Sequence, residues 1–107
     1  MNSHKLLSHT ESGYIIRCND CKKYRLAFGT TLVNLSANEL KAFQEEVSDQ
    51  ILFFPHDGFY HQKIIHVPLP TSNSCLILNY TELLKLADMC TEVNLLEEVE
   101  HILLGIN

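Results

Sequence analysis

The sequence predicts an α+β domain made of two β-β-α units, whose strands form an antiparallel sheet with the helices packed on one face. The prediction depends on two short segments, 35–40 and 78–83, which share three of six residues at an offset of 43. Each segment follows an apolar run that is typical of a strand and opens a spacing of apolar residues that is typical of a helix. The length of 107 residues fits a single domain, 1–107, with one core.

Both helices are predicted to begin at a capping box. Ser36 stands three residues before Glu39, and Asn79 stands three residues before Glu82. In such a box the small polar side chain accepts a hydrogen bond from a helix N–H that otherwise has no partner, and the acid bonds back to the cap. The helices are therefore expected to start directly after Ser36 and Asn79.

The first unit is predicted over residues 13–50. Residues 13–18 are rich in β-branched and aromatic side chains, and residues 24–28 alternate between the two faces of a half-buried strand. Gly29 either bulges that strand or turns it into a further hairpin, because Gly favours the first position of a type II′ turn. A strand over 31–35 then leads into the helix. The apolar side of that helix carries Leu40, Phe43 and Val47.

The second unit is predicted over residues 59–107. Strand-like runs cover 59–67 and 75–78, and a helical period continues through 81–104. A further cap-like box inside that stretch leaves open whether it is one bent helix or two. Residues 1–12 lie outside both units and are expected to form a disordered N-terminal segment.

Charge is distributed unevenly along the chain, whose net charge is −5. Residues 1–25 carry five cations against two acidic residues, a net of +3, whereas residues 82–107 carry six acidic residues against one cation, a net of −5. The basic segment 1–25 and the acidic segment 82–107 either form separate solvated faces or attract each other across a dimer. An acidic chain of this size is a poor candidate for nucleic-acid binding, which depends on neutralising phosphates.

No apolar run is long enough for a membrane span or a secretion signal, so the sequence predicts a cytoplasmic protein with no membrane partner.

Two of the four cysteines are expected to be core residues. At the offset of 43, Cys75 matches Leu32 and Cys90 matches Val47, and both matched positions are apolar. Free cysteine commonly serves as a small buried hydrophobic residue.

Cys18 and Cys21 are the candidate metal ligands. Two thiolates at C-x-x-C spacing reach one zinc ion, which needs two further ligands. The candidate co-ligands are His4 and His9, which give the order H-x4-H-x8-C-x2-C, or the same two cysteines of a second chain. Lys22 follows the pair where zinc knuckles usually carry glycine, which weakens the match. The expected cofactor is therefore zinc or none.

Two other interpretations of the pair remain open. The first is an ordinary turn whose thiols are free. The second is a redox pair, for which Arg17, Lys22 and Lys23 favour a thiolate. Redox chemistry is the less favoured of the two, because a thioredoxin-type pair lies at a helix N-terminus and this pair lies between two predicted strands.

An enzyme is the less favoured class of function for this sequence. The sequence contains no nucleophile elbow, P-loop or dinucleotide-binding fingerprint, and its four glycines are too few for such loops.

The stretch 13–47 has a strand ending in C-x-x-C, an aromatic-Gly step at Phe28-Gly29, another strand and a capped helix. In these features it resembles a group of small, functionally uncharacterised bacterial proteins. The resemblance implies a cytoplasmic single-domain protein and supplies no catalytic residues.

The function predicted from the sequence is binding to a protein, with a homodimer as the first expectation. The C-terminal segment carries more apolar residues than one helix needs to cover a small sheet. The affinity of this dimer is expected to fall in high salt if the basic segment 17–25 of one chain meets the acidic segment of the other. The alternative is a zinc-stabilised adaptor whose Cys18/Cys21 hairpin contacts an acidic macromolecule.

Overall fold

The computed structural model describes residues 4–54, 61–71 and 73–105. These residues form a four-stranded sheet, a two-stranded sheet and two helices, and both sheets are antiparallel. The predicted α+β class is therefore confirmed. In chain order the elements are β1 (His4–Thr10), β2 (Gly13–Cys18), β3 (Lys23–Phe28), β4 (Thr31–Ser36), α1 (Ala37–Leu52), β5 (Ile65–Pro68), β6 (Cys75–Leu78) and α2 (Tyr80–Leu104).

The four-stranded sheet is a meander in the order β1-β2-β3-β4. Helix α1 contacts β3 and β4, and α2 contacts β1 and β2. The face that meets the helices, called the inner face here, carries the buried Ile15, Leu26 and Leu35. Because successive side chains of a strand point to opposite faces, the remaining positions form the outer face. There Leu6 lies opposite Ile16, and Ile16 lies opposite Arg25.

β1 contradicts the disordered segment predicted over residues 1–12, of which residues 1–3 lie outside the described part. Residues 4–10 instead pair with β2 along the edge of the sheet. An irregularity in the register between Leu6 and Ser8 allows both Leu7 and Ser8 to be buried. The Ser8 hydroxyl donates a hydrogen bond to the Glu92 carboxylate on α2. A run with two adjacent leucines and several polar residues lacks the alternation that identifies a strand.

The predicted plan of two β-β-α units also needs correction in its strand count. Four strands precede α1, because Gly29 adopts a left-handed backbone (φ 61°) and closes the hairpin between β3 and β4. In the second unit the predicted strand over 59–67 is present only at its C-terminal end, as β5; residues 61–64 are not in a strand, and residues 59 and 60 lie outside the described part. β6 matches its predicted bounds, but it pairs only with β5, in a separate sheet. The segment 81–104 is one helix, which ends at the left-handed Gly105.

One hydrophobic core includes residues from both units. The strands supply Ile15, Leu26 and Val67, while the helices supply larger side chains that are almost completely buried. These are Phe43 of α1 and Leu83, Leu86 and Met89 of α2. The two sheets and two helices are thus held together by the same apolar contacts.

Both predicted capping boxes are confirmed. The N–H of Glu39 donates to Ser36 Oγ at 3.1 Å, and the N–H of Ser36 donates to the Glu39 carboxylate at 2.7 Å. At α2 the corresponding distances are 2.8 Å to Asn79 Oδ1 and 2.9 Å to the Glu82 carboxylate. The hydrogen bond from Asn79 and the neighbouring Lys63 lower the pKa of Glu82.

Removing either cap is expected to destabilise the fold. Ser36→Ala and Asn79→Ala should each lower the free energy of unfolding by about 1 kcal/mol, because a helix N–H loses its acceptor. Urea denaturation measures the effect. Asn38→Ala, at an exposed position of the first turn of α1, is the control and should change the stability little. If the free energies of unfolding of both cap variants equal that of Asn38→Ala, the capping boxes do not stabilise the fold.

Candidate functional site

The Cys18–Cys21 pair lies in the tight turn between β2 and β3. The N–H of Lys22 donates to the Cys18 carbonyl at 2.8 Å and closes the turn. Lys22 itself has a left-handed backbone (φ 57°), the conformation that glycine usually adopts in such turns. The two Sγ atoms are in bonding contact as a disulfide, with their Cα atoms 5.5 Å apart, which is within the normal disulfide range.

The structure brings only one of the two candidate co-ligands beside this pair. His4 lies directly opposite Cys18 in the β1–β2 register, whereas His9 lies opposite Tyr14, towards the other end of the hairpin. Five residues of strand separate the histidines by about 15 Å. In the described part of the chain, no group of three or more His, Cys, Asp or Glu side chains is arranged to hold a metal ion. The structure thus places His9 away from the other three predicted zinc ligands.

A cavity of about 310 Å³ opens beside the disulfide. Its lining includes both cysteines together with His4, Lys23, Arg25 and Asn34. Its described lining contains two cationic side chains and no acidic one. This arrangement favours an anionic group over a cationic or neutral one.

A second polar cluster joins the inner face of the sheet to α2. The Arg17 guanidinium contacts Glu97 at 2.9 Å and Glu100 at 2.8 Å, and Lys5 also pairs with Glu100. The Tyr24 hydroxyl donates to Glu97 at 2.6 Å. The basic N-terminal and acidic C-terminal segments therefore attract each other within one chain, rather than only across a dimer.

The ion pairs change the protonation of the groups that form them. Hydrogen bonds from Arg17 and Lys5 lower the pKa of Glu100 to about 2. Burial, together with the hydrogen bond to Glu97, raises the pKa of Tyr24 to about 12. The hydrogen bond to Glu100 raises the pKa of Arg17 above its already high value. This cluster thus holds its charges fixed at neutral pH and fastens α2 to the sheet.

The cluster predicts a loss of stability in acid. Because the folded pKa of Glu100 lies below the value near 4.3 of an unfolded glutamate, its contribution is present above that value and lost as the pH falls towards 2. We expect Glu100→Gln to flatten the dependence of stability on pH between about 4.5 and 2. Urea denaturation across this range measures it, with Glu45→Gln on α1 as the control. If the free energy of unfolding depends on pH in the same way for the wild type and Glu100→Gln, the contribution assigned to the Glu100 ion pairs is contradicted.

Sequence reasoning missed this cluster, although a signal for it exists. Arg17 stands two residues after the buried Ile15 and therefore points to the same face of β2. Glu97 and Glu100 are three residues apart, which places them on one side of α2. With the added knowledge that β2 lies against α2, these two patterns predict the contact of Arg17 with Glu97 and Glu100.

The remaining cysteines differ in their outcome. Cys90 is buried as predicted, and burial raises the pKa of its thiol to about 12. Cys75 is exposed, so the prediction of a core position was wrong. The matched Leu32 is itself exposed, because both residues occupy outward positions of alternating strands. The offset of 43 therefore matched two equivalent strand positions, but the side chains of both point to solvent instead of to the core.

Cys90→Ser is expected to cost more stability than Cys18→Ser when both are measured with a reductant. The serine hydroxyl at position 90 would be buried without a ready partner, a penalty of about 1–3 kcal/mol. At the hairpin tip the reduced Cys18 thiol contributes little to packing. Chemical denaturation compares the two variants. The reverse order would indicate that Cys18 has a structural role as a metal ligand.

The outward side of α2 carries an unpartnered apolar stripe, called the α2 stripe here. It consists of Leu95, Val99 and Ile102, which are 62%, 47% and 68% exposed. Their spacing of four and three residues places them on one side of the helix. Leu86 and Val93, by contrast, are fully buried. The excess apolar residues noted in the sequence are thus divided between core and surface.

Comparisons with known proteins identify the family of the chain but no activity. No curated protein matches the sequence, and no solved structure matches the fold. None of the helices in the described part of the chain is both long and apolar enough to cross a membrane. The model of a family of unknown function, DUF6686, matches residues 1–103. This match covers nearly the whole chain, and the protein therefore belongs to that family.

Proposed function

We propose that this chain is a non-enzymatic interaction domain that associates with a second copy of itself through the α2 stripe. The exposure of Leu95, Val99 and Ile102 carries the proposal. Apolar side chains that recur on one side of a helix and stay uncovered more often mark an interface than a free surface.

The spacing of the stripe favours a second copy as the partner. If two α2 helices pack antiparallel about a two-fold axis near Val99, Leu95 of each copy lies opposite Ile102 of the other. The same patch then covers itself, which is the geometry of an isologous dimer. Helix α2 ends at Leu104, so an axis near Val99 lets the two helices overlap over residues 94–104, which is about 16 Å or roughly three turns.

The charges around the stripe change the salt dependence expected from the sequence. Arg17 is already paired with Glu97 and Glu100 of its own chain, so it adds no attraction across the dimer. The exposed Glu98 borders the stripe, and the two-fold arrangement brings both copies of it close together. Salt screens like charges as well as opposite ones. The dimer is therefore expected to tighten in high salt rather than to weaken.

Sedimentation equilibrium at micromolar concentration tests this proposal. The wild type should be a dimer, and Leu95→Asp should shift it to a monomer without loss of helical circular dichroism. Leu32→Asp is the matched control, because Leu32 is 56% exposed on the outer face of the sheet. A wild type that is monomeric at low and high salt overturns the proposal. Dissociation by Leu32→Asp instead of Leu95→Asp would place the interface on the sheet and also overturn it.

A zinc-stabilised adaptor remains the second candidate function, and one observation favours it. His4 lies opposite Cys18, so a reduced Cys18, Cys21 and His4 surround one cavity. A metal held by the two reduced cysteines would take its remaining ligands from a second chain or from solvent, or from His4 after a change in its side-chain conformation, because the present arrangement of the three side chains does not hold a metal ion. Metal analysis of protein purified with a reductant and without a chelator tests this candidate. One zinc per chain or per two chains supports it, and metal-free protein rejects it.

A further inference from the structure

The two sulfurs of the Cys18–Cys21 disulfide differ in their surroundings. Cys21 is exposed at the tip of the turn, whereas Cys18 is half-buried at the end of β2. The N–H of Cys21 donates a hydrogen bond to Cys18 Sγ at 3.1 Å. A hydrogen bond to sulfur stabilises the thiolate more than the neutral or disulfide form, because the anion is the stronger acceptor.

This asymmetry decides how the disulfide would react with a thiol. In thiol–disulfide exchange a thiolate attacks one sulfur, and the other sulfur leaves as a thiolate. The attacked sulfur must be accessible, and the leaving sulfur departs faster when its anion is stabilised. Both requirements indicate attack on Cys21 and departure of Cys18.

The cavity beside the disulfide indicates the chemical class of the attacking thiol. Lys23 and Arg25 project from adjacent outer-face positions of β3, and both line this cavity with Asn34. Arg25 Nε reaches the Asn34 side-chain oxygen at 3.4 Å. Within residues 4–54, 61–71 and 73–105 its other guanidinium N–H groups have no hydrogen-bond acceptor, and they can bind a carboxylate. A thiol that carries a carboxylate would be held beside the disulfide by these cations.

We propose that Cys18–Cys21 is an exchangeable disulfide that reacts with low-molecular-weight thiols carrying a carboxylate. The thiolate attacks Cys21 Sγ, the Cys18–Cys21 bond breaks, and Cys18 leaves as a thiolate that takes up a proton. A second molecule of the thiol attacks the outer sulfur of the mixed disulfide and releases Cys21. Two thiols are thereby oxidised to one disulfide, and their two electrons and two protons reduce the protein disulfide to the dithiol. The reverse reaction reoxidises the protein.

Reduction kinetics with two small thiols test the proposal. The oxidised protein is treated with mercaptopropionate, which is anionic, or with mercaptoethanol, which is neutral. Each rate is divided by the rate of the same thiol with a small uncharged disulfide, which removes intrinsic reactivity. The wild type should prefer mercaptopropionate by about tenfold, as expected for steering by local charge. Lys23→Gln and Arg25→Gln should each reduce this preference about threefold, since each removes one of the two cations.

Two further measurements keep the test decisive. Lys41→Gln changes the net charge equally on the exposed surface of α1 and should leave the preference intact. Acid quenching during the reaction, followed by peptide mass spectrometry, should find the mixed disulfide on Cys21. Equal rates for the two thiols, a mixed disulfide on Cys18, or an equal loss of preference in Lys41→Gln would each overturn the proposal. None of these results depends on the oligomeric state, so the proposal is independent of dimer formation.

Discussion

Gly13→Ala is expected to lower the free energy of unfolding by about 3 kcal/mol, at the upper end of the usual cost of overpacking. Gly13 begins β2, between β1 and β3. A Cβ atom at this position would lie 2.8 Å from the carbonyl carbon of Ala27 and 2.9 Å from the Cα of Phe28, and closer still to the Ala27 oxygen. All of these are backbone atoms of a paired strand, so relief requires the strands to separate rather than a side chain to rotate.

Gly29→Ala provides the matched control for this prediction. Gly29 has a positive φ of 61° but no atom within 4 Å of an added Cβ. Alanine at this position should lower the free energy of unfolding by about 1–2 kcal/mol, because it must adopt the left-handed backbone conformation. Urea denaturation at neutral pH compares both variants with the wild type. Gly13→Ala should be clearly the less stable, and equal losses would show that the close approach of β2 and β3 is not present in solution.

Arg17→Met is expected to lower the free energy of unfolding by about 2 kcal/mol. The substitution keeps the apolar stem but leaves Glu97 and Glu100 close together without their shared cation. Removing one partner of a fully buried ion pair costs about 3–5 kcal/mol, and this cluster is partly exposed, so we expect a smaller effect. The side chains of Arg17 and Glu100 are each 19% exposed.

The control for Arg17 lies on the other face of the same sheet. Arg25→Met removes a cation from the exposed outer face and should change the stability by less than about 0.5 kcal/mol. In a double-mutant cycle, Glu100→Gln should cost less in the Arg17→Met background than in the wild type, because the uncompensated carboxylate is then absent. Equal costs in both backgrounds would contradict the assigned contact.

The local features of the fold were predictable from the sequence because their causes are local. The capping boxes of Ser36 and Asn79 depend on a side chain three residues away, and both occur where expected. The hairpin at Gly29 was one of the two outcomes that the sequence left open, the other being a bulge, and glycine adopts the positive φ that the turn requires. The apolar side of α1 follows from the helical period alone.

The features that the sequence did not predict depend on which element lies against which. β1 is a strand because β2 offers it a partner, and its own residues carry little alternation. The face of β6 that meets the core determines the exposure of Cys75, and a period of two does not state which face this is. The ion pairs of Arg17 join positions 80 and 83 residues apart, a separation that no local pattern reports.

The candidate site was predictable only in its residue types. C-x-x-C singled out Cys18 and Cys21, which the structure joins as a disulfide, and the basic residues around the pair were visible in the sequence. The sequence did not separate His4 from His9 as neighbours of the pair, because the distinction comes from the register of β1 against β2. It also did not show which leucines of α2 stay uncovered.

Disulfide cross-linking between copies at Val99 tests the proposed interface most directly. In a background in which Cys18, Cys21 and Cys75 are each replaced by Ser and Cys90 is buried, a Val99→Cys variant carries one exposed free thiol among the described residues and no disulfide with which it could exchange. If two α2 helices pack about an axis near Val99, mild oxidation should give a covalent dimer at micromolar concentration, while Leu32→Cys in the same background stays monomeric on a denaturing gel. Equal cross-linking at both positions, or none at Val99, would contradict association through the α2 stripe.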